Sequence, residues 1–191
     1  MRVDARPEVY VSIDVETDGP IPGDYSMLQL GAAAFEAGSE TEIDVFSRNL
    51  ARLPGASQHP DTMAWWAKQG DLYQRMTKET TGPLIAMQDF AIWAKKLPGK
   101  PVLVAYPAGF DQLHVYWYLM HFKVQHPFSF SCIDIKSYAM ALLGEDYRTC
   151  TKRGFPKHWF PSDYSHTHDA LDDAIGQGKL FIRMLQESRR K

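Results

Sequence analysis

Cysteine is scarce in this chain: its 191 residues include two, Cys132 and Cys150, in no CxxC or histidine-rich spacing. That argues against a structural zinc site or a disulfide framework. No stretch approaches the roughly 18 apolar residues that a membrane span needs, and the opening MRVDARPEVY is charged rather than apolar. A soluble cytoplasmic protein without membrane contact is therefore expected. Excess charge is also missing. At a formal net charge of −2, any contact with nucleic acid has to come from a local basic patch or from bound cations, not from an overall positive field. No GxxxxGKS or GxxxxGKT loop is found, which leaves nucleotide hydrolysis of the P-loop kind unsupported. Repeats, linkers and low-complexity tracts are absent too, so residues 1–191 are expected to form one domain. The 45% hydrophobic and 23% charged content is that of an ordinary packed globular chain.

Hydrophobic periodicity gives the order of elements. Val9, Val11, Ile13 and Val15 alternate with Tyr10, Ser12, Asp14 and Glu16, the pattern of a strand with two distinct faces. After the Pro/Gly segment Asp18–Gly23, Met27–Phe35 and Glu42–Leu50 read as two more strands, close enough for an antiparallel meander. A short helix opens at Asp61 and is interrupted near Gly70; a second runs from Pro83, suited to a first helical turn, to Leu97 before Pro98-Gly99. Val102–Tyr106 is an unbroken apolar run, as in a buried parallel strand. It is followed by an aromatic-rich helix over Phe110–Phe122, a fifth strand over Phe128–Ile135 and a helix over Ser137–Leu143. Gly144–Ser165 reads as a long loop, a feature often tied to function. A terminal helix starts at His168 or Asp169 and ends near Glu187. The result is an α/β layer with a mixed five-stranded sheet.

Carboxylates stand out at four places. Asp14 and Glu16 share a strand face with Cα atoms roughly 6.5–7 Å apart, close enough for one cation to touch both. Asp14-Val-Glu-Thr-Asp18-Gly19 imitates the start of a calcium loop, but Tyr25 occupies the twelfth position where a glutamate belongs, and a strand precedes it in place of a helix. Asp111 follows the apolar strand and the Pro107-Ala108-Gly109 turn, at the strand ends where ligands gather in open α/β sheets; taken alone, an acidic first-turn residue is better explained by the helix dipole, and its position relative to the other acids is what raises it. In the terminal helix Ala170, Asp173, Ala174, Gln177 and Phe181 form one stripe. Asp173 is thus a carboxylate on an inward face, costly to bury without a partner, and a cation is the natural compensation. Asp169 and Asp172 are explained as solvated or helix-start charges. His168 lies at the mouth of the same helix, with Thr167 placed to cap it. His166-Thr167-His168-Asp169 suggests zinc only weakly, since a closed site needs four ligands and no cysteine is near.

Asp14-Val15-Glu16-Thr17, Phe110-Asp111 and His168-Asp169-Ala170-Leu171-Asp172-Asp173-Ala174, in this order and over nearly the whole chain, resemble the three motifs of the DEDDh class of 3′→5′ exonucleases. That class includes oligoribonuclease, ribonuclease T and polymerase proofreading subunits. The resemblance implies a ribonuclease-H-like three-layer fold, with strands one to three antiparallel and the later strands parallel. It further implies that Asp14, Glu16, Asp111 and Asp173 hold two divalent cations, Mg²⁺ or Mn²⁺, and that His168 is the general base. Two cations about 3.5–4 Å apart can activate water, neutralise phosphate oxygens and stabilise the leaving oxyanion. The implied partner is nucleic acid with a free 3′ end, RNA slightly before DNA, and the implied product is nucleoside monophosphate; several relatives dimerise, which leaves a homodimer open. Met27, Trp65 and Trp66 are candidates for holding terminal bases, because aromatic faces stack on bases with little sequence preference. By helical position Trp65 is the better candidate and Trp66 the better core residue. Arg148, Lys152, Arg153 and Lys157 in the long loop are candidates for phosphate contact. Pro107 stands where many family members carry Asn, and the first motif continues Thr17-Asp18-Gly19-Pro20 rather than Thr-Gly-Leu. The Trp65-Trp66 pair and the Pro20–Gly23 insertion look like a bacterial or phage exoribonuclease-like branch. Two other readings stay open: a catalytically silent nucleic-acid-binding module of the same fold, and a phosphoesterase acting on small nucleotides.

Overall fold

The computed structural model describes residues 6–162 and 164–190; the first five residues of the charged N-terminal segment and position 163 of the long loop fall outside them. Strands β1 (Glu8–Thr17), β2 (Met27–Glu36) and β3 (Glu42–Asn49) come first. Short helices α1 (Pro60–Trp66) and α2 (Leu72–Lys78) follow, then α3 (Pro83–Lys96), β4 (Lys100–Ala105), α4 (Ala108–His121), β5 (Cys132–Asp134), α5 (Ile135–Leu143) and α6 (Ala170–Ser188). The sheet order is β3-β2-β1-β4-β5. β1, β2 and β3 pair antiparallel, while β4 runs parallel to β1 and β5 parallel to β4. This is the mixed five-stranded sheet expected from the sequence.

β1 is central, and its alternation distributes two cores. Val9, Val11, Ile13 and Val15 are buried in one with Met87 and Phe90 of α3 and Val115, Tyr118 and Leu119 of α4. Tyr10 enters the other, with Phe181, Ile182 and Leu185 of α6. Asp14 and Glu16 lie on the α6 side of the same strand, at its carboxyl end.

Two glycines set how closely α6 approaches. A Cβ on Gly31 of β2 would overlap the backbone of Ala170 and Leu171, and one on Gly178 would overlap the Phe35 ring. Gly31 therefore admits only glycine without a shift of the helix, and a side chain at Gly178 would have to move the helix or the Phe35 ring.

Some elements differ from the expectation. β5 has three residues rather than eight. Its pairing with β4 begins only at Leu103↔Cys132, and upstream the hydrogen bonds go elsewhere. The Phe128 N–H donates to the His126 ring, and Gln112 Nε2 donates to the Phe130 carbonyl at 2.9 Å. Phe128 and Phe130 alternate like strand residues, yet Phe128 packs on Phe90 and Phe130 is 81% exposed. α5 starts at Ile135, two residues early, because Asp134 caps it by accepting from Ser137 N at 2.8 Å. The long loop contains two 3-10 turns and is anchored by the buried Cys150, Phe155 and Trp159. No helix among the described residues is long and apolar enough to cross a membrane.

Candidate active site

The site forms where β1 ends, α4 begins and α6 begins. Asp14 and Glu16 project from one face of β1, and the inward stripe of α6 brings Asp173 over that face. Ala170, Asp173, Ala174, Gln177 and Phe181 are all buried, as their spacing requires. Ligand oxygens of Asp14, Glu16 and Asp173 lie within 4.8 Å of one another. Asp111, in the first turn of α4, reaches the same region: its Oδ1 accepts from Val15 N, between Asp14 and Glu16, at 3.2 Å. Four acids distant in sequence thus share one neighbourhood.

The start of α6 is fixed by contacts that hydrophobic periodicity does not reveal. Gln29 of β2 accepts from Ala170 N at 2.8 Å and donates to Asp169 Oδ2 at 3.2 Å. Gln177 donates to the Ile13 carbonyl, the residue before Asp14. Asp169, not Thr167, is the N-cap, accepting from Leu171 N and Asp172 N. Thr167 acts one step earlier: its hydroxyl accepts from Asp169 N at 3.2 Å, and its own N–H donates to Asp173 Oδ1 at 3.1 Å. α4 is positioned similarly, because its N-cap Pro107 has no side-chain donor or acceptor and Asp134 of β5 accepts from Ala108 N instead, at 3.1 Å. Gln29 and Asp134 are thus positioning residues that the sequence left unmarked.

Burial of carboxylates is the dominant electrostatic feature, and their mutual repulsion adds to it. Burial raises the Asp14 carboxyl well above its ordinary range; the charges of Asp111, Glu16 and Asp173 add to this, and Lys152 opposes it. Glu16 is pushed up to about 8, first by burial and then by Asp173 and Asp111. Asp111 rises to about 7 through burial, opposed by the Val15 N–H. Its second oxygen is buried with no hydrogen-bond partner among the described residues. Such an orphan, together with three neighbouring carboxylates, is costly unless cations enter. The donor set is all hard oxygen, which suits Mg²⁺ or Mn²⁺. The residues present fit a divalent-cation site.

His168 borders this cluster. Its Nδ1 is 4.0 Å from Glu16 Oε1, and burial, then the charge of His166, lowers its pKa. The imidazole is therefore neutral near pH 7, the state that accepts a proton. Its ring packs edge-on against Trp65 at 4.7 Å and against His166 at 4.1 Å, centroid to centroid. His166 Nδ1 also lies 2.8 Å from Asp173 Oδ2.

Beside the acids, Val15, Glu16, Thr17, Gly19, Pro20, Thr62, Trp65, Trp66 and Phe110 line a cleft of about 210 Å³. Trp65 is 37% exposed on its wall. The other two base-holding candidates are corrected. Met27 is fully buried in the core beneath β1, and Trp66, 2% exposed, spends its indole N–H on the Thr17 carbonyl at 2.9 Å. Neither presents a free face for stacking. Of the four basic loop residues, Lys152 is the one whose charge bears on Asp14 and Asp111; its ammonium lies over the Tyr106 ring at 4.5 Å.

No protein-family model matches the chain. Among characterised proteins it is 30% identical to the 3′-5′ DNA exonuclease Cap18 of Escherichia coli, over 100% of this chain and 98% of that protein. Among solved structures, the nuclease domain of 3′hExo, described as a DEDDh family member bound to rAMP, superposes with a TM-score of 0.71 at 12% identity, covering 97% of this chain and 95% of that one. S. pombe Pop2p, in an Mg²⁺- and Mn²⁺-bound form, superposes with a TM-score of 0.65 at 13% identity, covering 94% and 82%. The structural likenesses show the ribonuclease-H-like fold, and the full-length sequence likeness shows the family: the chain belongs to the DEDDh class of 3′→5′ exonucleases, which are metal-dependent hydrolases.

Proposed function

We propose that this chain removes nucleoside monophosphates one at a time from the 3′ end of a nucleic acid, with Asp14, Glu16, Asp111 and Asp173 as metal ligands and His168 as general base. The observation that carries this reading is the meeting of Asp14, Glu16 and Asp173 within 4.8 Å, with the orphaned Asp111 oxygen beside them. When bound, a pair of Mg²⁺ or Mn²⁺ ions supplies charge neutralisation for the phosphate and the leaving oxyanion and acidifies the attacking water. Asp14 and Glu16 would hold that charge from β1, Asp173 from the start of α6 and Asp111 from the first turn of α4. His168, neutral at physiological pH, takes the proton from the attacking water. Trp65 faces the cleft and stacks on the terminal base, and Lys152 offers a charge for a phosphate oxygen. Because the ligands come from β1, α4 and α6, the exonuclease unit spans the chain as one domain.

The sequence favoured RNA slightly. The full-length likeness to a DNA exonuclease supports DNA as the first substrate to test, and RNA is the second reading. A 5′-labelled oligonucleotide is expected to shorten stepwise from its 3′ end with Mg²⁺ or Mn²⁺, and chelator or Asp173→Asn is expected to stop this. Matched DNA and RNA oligomers in the same assay decide the substrate. Full activity in chelator would overturn the metal mechanism, and hydrolysis of free nucleotides alone would favour the phosphoesterase reading.

A further inference from the structure

Asp173 belongs to two ligand sets. One is the oxygen set with Asp14 and Glu16; the other joins it to ring nitrogens of His166 and His168, again with all three ligand atoms within 4.8 Å of one another. We propose that His166, His168 and Asp173 form a second cation site, one for Zn²⁺, whose occupation switches the exonuclease off.

The chemistry of the donors separates the two sets. Imidazole nitrogen suits Zn²⁺, whereas Mg²⁺ and Mn²⁺ take hard oxygen. Three protein ligands and one open position for water is a common arrangement for zinc. The geometry is close to that needed. His166 Nδ1 and Asp173 Oδ2 are 2.8 Å apart, and tetrahedral zinc with bonds of about 2.0–2.1 Å needs them roughly 3.3 Å apart. A side-chain movement of about half an ångström opens the space, and His166 is 55% exposed and able to make it. The other ligands are already oriented. The N–H groups of Thr167 and His168 both donate to the Asp173 carboxylate at 3.1 Å, and Trp65 packs against the His168 ring. Such supporting contacts are what metal ligands ordinarily require.

The consequence follows from what the two sets share. Zinc on His168 occupies the lone pair that proton abstraction uses, and zinc on Asp173 takes a carboxylate from the oxygen set. The inhibition rests on the exonuclease reading, but the binding does not.

The test titrates the metal-free full chain with Zn²⁺ by calorimetry and with Co²⁺ by visible absorption, a spectroscopic stand-in for tetrahedral zinc. Wild type is expected to develop the tetrahedral Co²⁺ bands of the nitrogen-containing site. Asp14→Asn is expected to keep that site. His166→Ala is expected to weaken it at least about 10-fold, since loss of even a supporting contact costs 10–100-fold in metal affinity. In Mg²⁺ assays, the zinc concentration that halves the rate, measured against each variant's own zinc-free rate, is expected to rise at least about 10-fold in His166→Ala. Unchanged binding in His166→Ala, or binding lost in Asp14→Asn, overturns the site. Absence of cleavage by wild type in Mg²⁺ without zinc would instead defeat the exonuclease reading and leave the zinc titrations standing.

Discussion

The buried carboxylate of Asp173 holds the backbone of His168 in a conformation that side chains rarely adopt. His168 has φ of 58°, in the left-handed region, and its N–H donates to Asp173 Oδ2 at 3.1 Å. For a residue with a Cβ this region costs roughly 1–2 kcal/mol. The same carboxylate that is proposed to bind metal therefore also aims the proposed base, and the helix start stores the strain.

That relationship separates catalysis from stability at one position. His168→Ala and His168→Gly both remove the imidazole, and both are expected to lose about 10²–10⁴-fold in rate. Gly suits a positive φ and Ala does not. His168→Gly is therefore expected to melt about 2–4 °C above His168→Ala, the equivalent of about 1 kcal/mol in a chain of this size. Equal melting temperatures would show that the strain is relieved elsewhere, and an unimpaired rate would remove His168 from the mechanism.

Gly31 lies directly opposite Asp14 in the β1–β2 ladder, under the backbone of Ala170. Gly31→Ala has to push the start of α6 away from the sheet, carrying Asp173 from Asp14. Overpacking of this kind costs about 1–3 kcal/mol, so a fall of several degrees in Tm is expected, with weaker Mn²⁺ binding by calorimetry. Gly38→Ala, on a turn with open space around it, is the matched control and is expected to do neither. Native Mn²⁺ affinity in Gly31→Ala would mean that the helix start is not the part that sets the acid spacing.

The order of elements and the placing of Asp14, Glu16 and Asp173 were legible because they depend on periodicity, whereas Asp111 was read from its place after an apolar strand and from the family resemblance. The alternation of Val9 to Glu16 sets which side chains meet α6, and the i, i+3, i+4 spacing from Ala170 to Phe181 leaves Asp173 alone among the helix acids facing inward. Side-chain-to-backbone contacts between distant segments leave no such period. Gln29 is an ordinary polar residue in a strand until Ala170 comes against it, and Asp134 fell inside an expected strand although it caps α5 and holds the N–H of Ala108. His166 was visible only as a weak zinc fragment, because the third partner, Asp173, lies a helical turn beyond. Trp66 is buried as its helical position implied, whereas Met27, inward-facing on β2, lies in the core.

The proton balance of the acid cluster predicts how the metal-free protein responds to pH. Glu16, at about 8 against an ordinary 4.5, and Asp111, at about 7 against 3.8, are raised in the folded chain, and Asp14 is raised as well. Between about pH 4 and 8 the folded state therefore holds more protons than the unfolded state, and stability contributed by these groups falls as pH rises. Metal-free wild type is expected to lose Tm from pH 5 to pH 8, and Glu16→Gln/Asp111→Asn to lose less. Added Mg²⁺ or Mn²⁺ is expected to raise Tm more at pH 8, where the carboxyls are ionised, than at pH 5. Parallel melting profiles for wild type and double variant would mean that these groups are not strained by burial.

Trp65 has two tasks that kinetics can separate. Its exposed part lines the cleft, and its ring packs against His168. Removing a stacking surface costs about 1–3 kcal/mol per base, so Trp65→Ala is expected to raise KM by about 5- to 150-fold for a single-stranded oligomer. Loss of the His168 contact lowers kcat separately, because the imidazole is then free to turn from the acids. Trp65→Phe keeps a ring in both places and is expected to recover most of both constants, whereas Trp65→Leu restores bulk without an aromatic face and recovers kcat better than KM. If Trp65→Ala left KM unchanged while kcat fell, the tryptophan would serve His168 alone, and the terminal nucleotide would have to be held by another wall of the cleft, which Phe110 also lines.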